Sequence, residues 1–174
     1  DFGAAVMHET TSIHDAFFTA QDIDTGKWNT NADSEIRDAT TVPHITILGT
    51  GDGQNDFYRF EIKAGYDQDS DGVEAVFDID HGYESGDGVE WASLIRLYQL
   101  TQVLEEGKLV DKYTLRKVGS GFSRPIDDIG STTWVDAYLA VTFAIPEDAG
   151  TWYLEVVNWY PYGLGVLPEG VDYE

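Results

Sequence analysis

Cysteine is absent from the 174 residues, which excludes disulfides and every metal site built on thiolates. The absence does not place the chain inside a cell, because many secreted bacterial proteins use bound calcium as a staple in place of disulfides. Cationic residues are scarce too: ten Lys and Arg stand against 32 Asp and Glu, a formal charge of −22. Such a surface repels phosphate backbones, which excludes nucleic acid as a partner, and it repels itself unless cations neutralise it. No apolar run reaches the ~18 residues of a membrane-spanning helix, and no basic segment leading into an apolar core marks an export signal. No membrane insertion is expected. The first residue is Asp1 rather than methionine, so the chain is expected to be a segment of a longer secreted polypeptide. Catalytic signatures are missing as well: there is no Gly-x-Ser-x-Gly elbow, no cysteine nucleophile and no Walker loop. With 32 carboxylates present, some pair always falls at a glycosidase-like separation, so carboxylate pairs carry no signal. The chain does not read as an enzyme.

What is present argues for a folded domain rather than an acidic tail. Hydrophobic residues make up 42% of the chain and aromatics 13%, too much apolar surface to stay solvated. The length suits one domain over residues 1–174. Segments of period-two alternation recur between turns rich in Gly, Asp and Asn. His44 to Leu48 is a β-branched strand introduced by Pro43 and stopped by Gly49, Gly51 and Gly53. Strands follow around Phe57–Ile62, at Val76–Asp80, Ser93–Leu100 and Lys108–Val118, the last placed to form a hairpin with its neighbour. The two clearest are Val135–Ala144 and Thr151–Tyr160, the latter setting Trp152, Leu154 and Val156 opposite Tyr153, Glu155 and Val157. No amphipathic helix and no repeat of 20 to 50 residues stands out. About eight antiparallel strands of this kind predict an all-β fold, a jelly-roll-like β-sandwich with calcium-binding loops.

The acids supply the candidate chemistry. Asp67, Asp69 and Asp71 alternate and run into Gly72, with Asp78 at the twelfth position counted from Asp67. That is the spacing of a calcium loop, in which alternate carboxylates turn toward one hard cation and glycine permits the sharp bend. The bland alternative is a solvated acidic turn. Val76, Asp78 and Asp80 then share one strand face, against Phe77 and Ile79 on the other. Two carboxylates side by side repel unless a cation sits between them; the alternative is a polar face turned to water. Asp22, Asp24, Asp52 and Asp56 divide evenly between ligation and turn capping. Asp127, Asp128 and Asp136 lie in or near a Pro/Gly loop. Aromatics crowd the last third of the chain, where a sandwich buries most of them. The run Trp159-Tyr160-Pro161-Tyr162-Gly163 is the exception, with Trp159, Tyr160 and Tyr162 as candidates for lining a ligand groove. His8, His14, His44 and His81 show no zinc-ligand spacing.

Several stretches also occur in a familiar order: Thr19-Ala-Gln-Asp-Ile-Asp24, Val42-Pro-His-Ile-Thr-Ile-Leu-Gly-Thr-Gly-Asp-Gly53, Asp56-Phe-Tyr-Arg-Phe60, Phe77-Asp-Ile-Asp80, Leu97-Tyr98, Asp127-Asp128, Gly130-Ser131, Asp136-Ala-Tyr-Leu139, Ala149-Gly-Thr-Trp-Tyr-Leu-Glu-Val156 and Gly165-Val-Leu-Pro-Glu-Gly170. From about Thr19 onward the chain resembles the bacterial pre-peptidase C-terminal (PPC-like) domain. The Val42–Gly53 stretch is most similar to copies embedded in very large repeats-in-toxin adhesins. The resemblance implies a noncatalytic, monomeric β-sandwich at the bacterial cell surface, with several calcium ions and a peptide or protein on a target cell as partner. It pairs Asp127, Asp128 and Asp136 with the Asp78 strand as shared metal ligands. A glycan partner, or a purely structural appendage of a secreted hydrolase, is the alternative. Three departures stand out: the Asp67–Gly72 loop is longer than in the family, Leu100–Arg124 is an expansion, and the last strand stops early at Tyr173-Glu174.

Overall fold

The computed structural model describes residues 6–10, 13–24, 28–34, 36–65, 71–80, 91–120, 136–159 and 165–173. Among these residues ten strands form in chain order: β1 (Val6–His8), β2 (Gln21–Asp22), β3 (Thr46–Thr50), β4 (Asp56–Ile62), β5 (Val73–Asp78), β6 (Ser93–Glu105), β7 (Lys108–Ser120), β8 (Tyr138–Phe143), β9 (Gly150–Asn158) and β10 (Asp172–Tyr173). They make a three-stranded sheet in the order β1-β3-β10 and a seven-stranded sheet in the order β2-β4-β9-β6-β7-β8-β5. Among the described residues there is no helix long and apolar enough to cross a membrane. The all-β, sandwich-like architecture read from alternation is therefore the observed one.

The strands differ from the expectation in number, direction and bounds; β3, for one, runs from Thr46 to Thr50, through the Gly49 expected to stop it. Among the described residues there are ten strands where about eight were expected of the chain, and β1, β2 and β10 are only two or three residues long, too short to show a period. Nor are all neighbours antiparallel, since β1 runs parallel to β3 and β2 parallel to β4.

The core lies along the inner face of the large sheet. Tyr58, Phe60 and Ile62 of β4, Trp152, Leu154 and Val156 of β9, and Ile95 and Leu97 of β6 enter it together with Met7, Leu167, Val171 and Tyr173 from the chain ends. Every second residue on these strands contributes, as period-two alternation requires. Trp152 is locked there by its indole N–H, which donates to Asp148 O at 2.8 Å, and by an edge contact with Phe143 at 4.8 Å. The opposite face of β9 is buried as well. Its cover comes from the segment 13–20, whose Phe17 stacks on Tyr113 at 4.0 Å and meets Phe57, Tyr98 and Tyr153 edge-on. That cover lies over Tyr153, while Glu155 is enclosed by Asn55, Tyr98 and Arg96.

On β5, Val73, Ala75 and Phe77 pack against the core while Val76 is exposed, so the two-face division expected for this strand is observed. Gly72, which leads into it, has φ +98°. A Cβ there would also meet Thr142 Cγ2 at 2.7 Å and Phe143 O at 2.9 Å, so both conformation and space demand glycine.

Beta-strands β6 and β7 form the hairpin foreseen for Lys108–Val118. They are joined by Glu106 and Gly107, both at positive φ (49° and 79°). That is the backbone of a type I′ turn, whose twist matches the flanking strands. The hairpin is longer than the apolar alternation suggested, because β6 continues through Gln102 to Glu105.

Candidate functional site

Two polar constellations are built into the fold. At one end of the β5–β8 pair, Asp78 closes β5 opposite Tyr138, Ile79 N–H donates to Ala137 O at 2.9 Å, and Ala137 N–H donates to Ser93 Oγ at 2.7 Å. This ladder carries Asp78, Asp80 and Asp136 past one another. Asp80 is 9% exposed and Asp136 1%. One carboxylate oxygen on each of the three is shut off from solvent and accepts no hydrogen bond, although all three residues make other contacts. Oxygen-only donors drawn out of water in this way suit a hard cation such as calcium. The three do not close a cage by themselves. Among the described residues, the one set of three whose donor atoms all lie within 4.8 Å of each other is Glu9, His14 and Asp56. Asp127 and Asp128, expected to complete the acidic set, lie outside the described residues, as do Asp67 and Asp69. Asp71 is described and exposed, directly before Gly72.

The second constellation joins the two sheets. His14, 5% exposed, sits between Glu9 Oε1 at 2.5 Å from Nε2 and Asp56 Oδ1 at 3.2 Å from Nδ1. Asp56 accepts a hydrogen bond from the Tyr173 hydroxyl at 2.6 Å, and Tyr173 in turn lies 2.7 Å from the Tyr58 hydroxyl. Glu9 also accepts the Thr50 N–H at 2.6 Å. The chain thus connects the end of β1, the end of β3, the start of β4 and β10. Burial alone would lower the His14 pKa, but hydrogen bonds and charge attraction from Asp56 and Glu9 outweigh it and hold the imidazolium up to about 10. Burial likewise raises Asp56, against the opposing hydrogen bonds of His14 and Tyr173. The charged imidazolium is the state that two flanking carboxylates favour. Each ring nitrogen faces a different carboxylate at ion-pair distance, although Nε2 meets Glu9 without the alignment of a hydrogen bond. Imidazole is in any case not a donor that calcium selects.

The other aspartates proposed as ligands have defined places. Asp22 pairs with Arg59 at 2.5 Å and caps its own turn by accepting the Asp24 N–H at 2.9 Å. Asp24 accepts the Glu61 N–H at 2.7 Å, extending the β2–β4 pairing through a side chain. Burial raises its pKa, and the Glu61 bond works the other way. Asp52 is exposed and accepts the Gln54 N–H at 3.0 Å in a turn. Trp159 follows β9 with its N–H on Ala92 O at 2.8 Å and remains 40% exposed. Tyr160 and Tyr162 lie outside the described residues.

Sequence reading passed over His14, Glu9, Tyr58 and Tyr173, because they come from four separate segments and no local spacing links them. It also passed over Glu155. That residue is 5% exposed and is satisfied by Asn55 Nδ2 at 2.9 Å, the Tyr98 hydroxyl at 2.7 Å and Arg96 at 3.3 Å. Burial, together with the Glu155 carboxylate, pushes the Tyr98 hydroxyl up to about 12. A lone Glu among apolar residues in a strand was the available signal.

A scan against protein-family models, a search of curated proteins and a search of solved structures each returned no match.

Proposed function

We propose that the chain is a calcium-dependent ligand-binding module, with peptide as the ligand class, belonging to a large secreted bacterial adhesin of the repeats-in-toxin kind. The reading rests on its resemblance to PPC-like domains. The observation that carries it furthest is the burial of Asp80 and Asp136 beside Asp78 at one end of the β5–β8 pair. Carboxylates enclosed in this way are donors of the kind a divalent ion takes. Asp78, Asp80 and Asp136 would hold it, with Asp127 and Asp128 as further ligands. A calcium ion supplies positive charge and open coordination positions. On an anionic protein an ion held there would supply the positive charge for a peptide carboxylate, and neighbouring aromatic and backbone groups would select the peptide's side chains. Trp159, half-exposed at the end of β9, is available for that selection.

The experiment is thermal unfolding in EDTA and in calcium, paired with binding to a peptide array under both conditions. Saturation at one site stabilises by about 2.7 kcal/mol at a hundredfold excess over Kd, which for a chain of this size raises Tm by roughly 5–10 °C. Asp136→Asn should abolish most of that rise. An unchanged Tm, or full peptide binding in EDTA, contradicts the reading.

A further inference from the structure

The β6–β7 hairpin outgrows the sheet that carries it. Both strands are 13 residues long, yet β6 is paired on its far side to β9 only from Ser93 to Gln99. On the other side, β7 meets β8 through a single pair, Ser120 with Tyr138. At Gly119 β8 is in close contact, since a Cβ there would meet Leu139 and the Tyr138 carbonyl, but no further β7–β8 pair forms toward Lys108. From Lys108 to Val118, among the described strands, β7 has no second neighbour, and every second residue turns its N–H and C=O away from β6. A two-stranded ribbon of this kind is marginally stable alone and gains from a third strand.

The side chains along that edge say what kind of strand it takes. Four of the chain's ten cations, Lys108, Lys112, Arg116 and Lys117, lie on β7. Arg116 pairs with Asp148 at 3.4 Å. Among the described residues, Lys108, Lys112 and Lys117 have no carboxylate within salt-bridge distance and are exposed. In a chain with 32 acids, three unneutralised lysines on one strand are unexpected. Lys108 and Lys112 share a ribbon face with Val110, because they stand opposite Glu105, Thr101 and Val103. The other face presents Leu104, Leu109 and Leu115, which are 71%, 67% and 47% exposed.

A second copy of this chain is a poor occupant, since a twofold pairing brings together two lysine-bearing edges and two chains of formal charge −22. A protective role for the lysines, which blunt strand edges, leaves the exposed leucines and valines without a purpose. We propose that the free edge of β7, from Lys108 to Val118, takes an extended segment of another polypeptide by strand addition, with acidic residues on the lysine face and apolar residues on the leucine face. Backbone pairing supplies the affinity and the alternating side chains the selectivity. The site is separate from the acidic end, and neither proposal depends on the other.

The test is fluorescence anisotropy with the full 174-residue chain and capped nonapeptides. A Glu/Val alternating peptide binds; a Lys/Val peptide of the same length does not. The double variant Lys112→Glu with Lys117→Glu, checked for an unchanged circular dichroism spectrum, binds the Glu/Val peptide about tenfold more weakly. Both substitutions are on exposed side chains, so folding is retained. N-methylating alternate residues of the peptide removes the donors of one edge at a time. One methylated form therefore keeps its affinity and the other loses it. Absence of Glu/Val binding, equal binding of the Lys/Val peptide, or two methylated forms that behave alike each overturns the proposal.

Discussion

A histidine with a carboxylate on each ring nitrogen is the residue on which this fold is most sensitive to pH. The pKa of His14 is raised from 6.5 to about 10. Its stabilising contribution is therefore complete below its unfolded value and is lost as pH rises through the folded one. The wild-type chain is expected to lose melting temperature between pH 7 and 10. His14→Gln keeps neutral hydrogen bonding but removes the charge, leaving Asp56 buried without its cation. That variant should be less stable at pH 7 by about 3 kcal/mol, and its melting temperature should be flat across the same alkaline window. Denaturant melts at pH 7 and at pH 10 measure both effects. Equal slopes with pH for the two proteins would mean that His14 is neutral in the fold. Glu155 is a second enclosed carboxylate, and Arg96, Tyr98 and Asn55 hydrogen-bond its oxygens.

At the scale of elements, what was legible in the sequence was whatever had a period. β4, β6, β8 and β9 were readable because one residue in two is apolar and faces the core. The hairpin turn was readable as a break between two such runs. The segment 13–20 was not. Ile13, Phe17 and Phe18 fit neither a strand nor a helix repeat. The structure shows why: the segment is neither, but a cover that inserts Phe17 among Phe57, Tyr98, Tyr113 and Tyr153 and leaves Ile13 and Phe18 outside. One aromatic at the centre of four is an anchor. Phe17→Ala should cost about 2–3 kcal/mol in a urea melt and increase hydrogen exchange on the outer face of β9, while Phe18→Ala, 88% exposed, should stay within about 0.5 kcal/mol. Similar losses for the two would mean that the segment is not held by Phe17. Of the candidate site, the Asp78–Asp80 alternation was visible in the sequence. The burial of Asp136 beside it depended on strand pairing between β5 and β8, which no local pattern encodes. Asp22, Asp24 and Asp52 show the converse: the same residue type at similar spacing serves turns and strand edges, because a carboxylate accepts a backbone N–H as readily as it binds a cation.

The whole molecule carries a formal charge of −22, and two kinds of cation could relieve it. Monovalent salt screens exposed charges over a Debye length of about 10 Å at 0.1 M and less at higher concentration. It therefore acts on the surface acids and hardly at all on carboxylates as enclosed as Asp80 and Asp136. A bound divalent ion does the opposite, neutralising a few enclosed groups and leaving the general field largely unchanged. The two effects are additive for a chain built as proposed. In EDTA, raising sodium chloride from 0.05 to 1 M should raise Tm by several degrees without a plateau. Millimolar calcium at a fixed, high ionic strength should then add a further, saturable rise, with a midpoint that reports the ion's affinity. Asp80→Asn and Asp136→Asn should lower the second rise and spare the first. Replacing Asp52, an exposed turn residue, by Asn should alter neither by more than a degree or so. If calcium's effect disappears once the ionic strength is high, the ion is screening the surface like any other salt, and the enclosed aspartates are not its ligands.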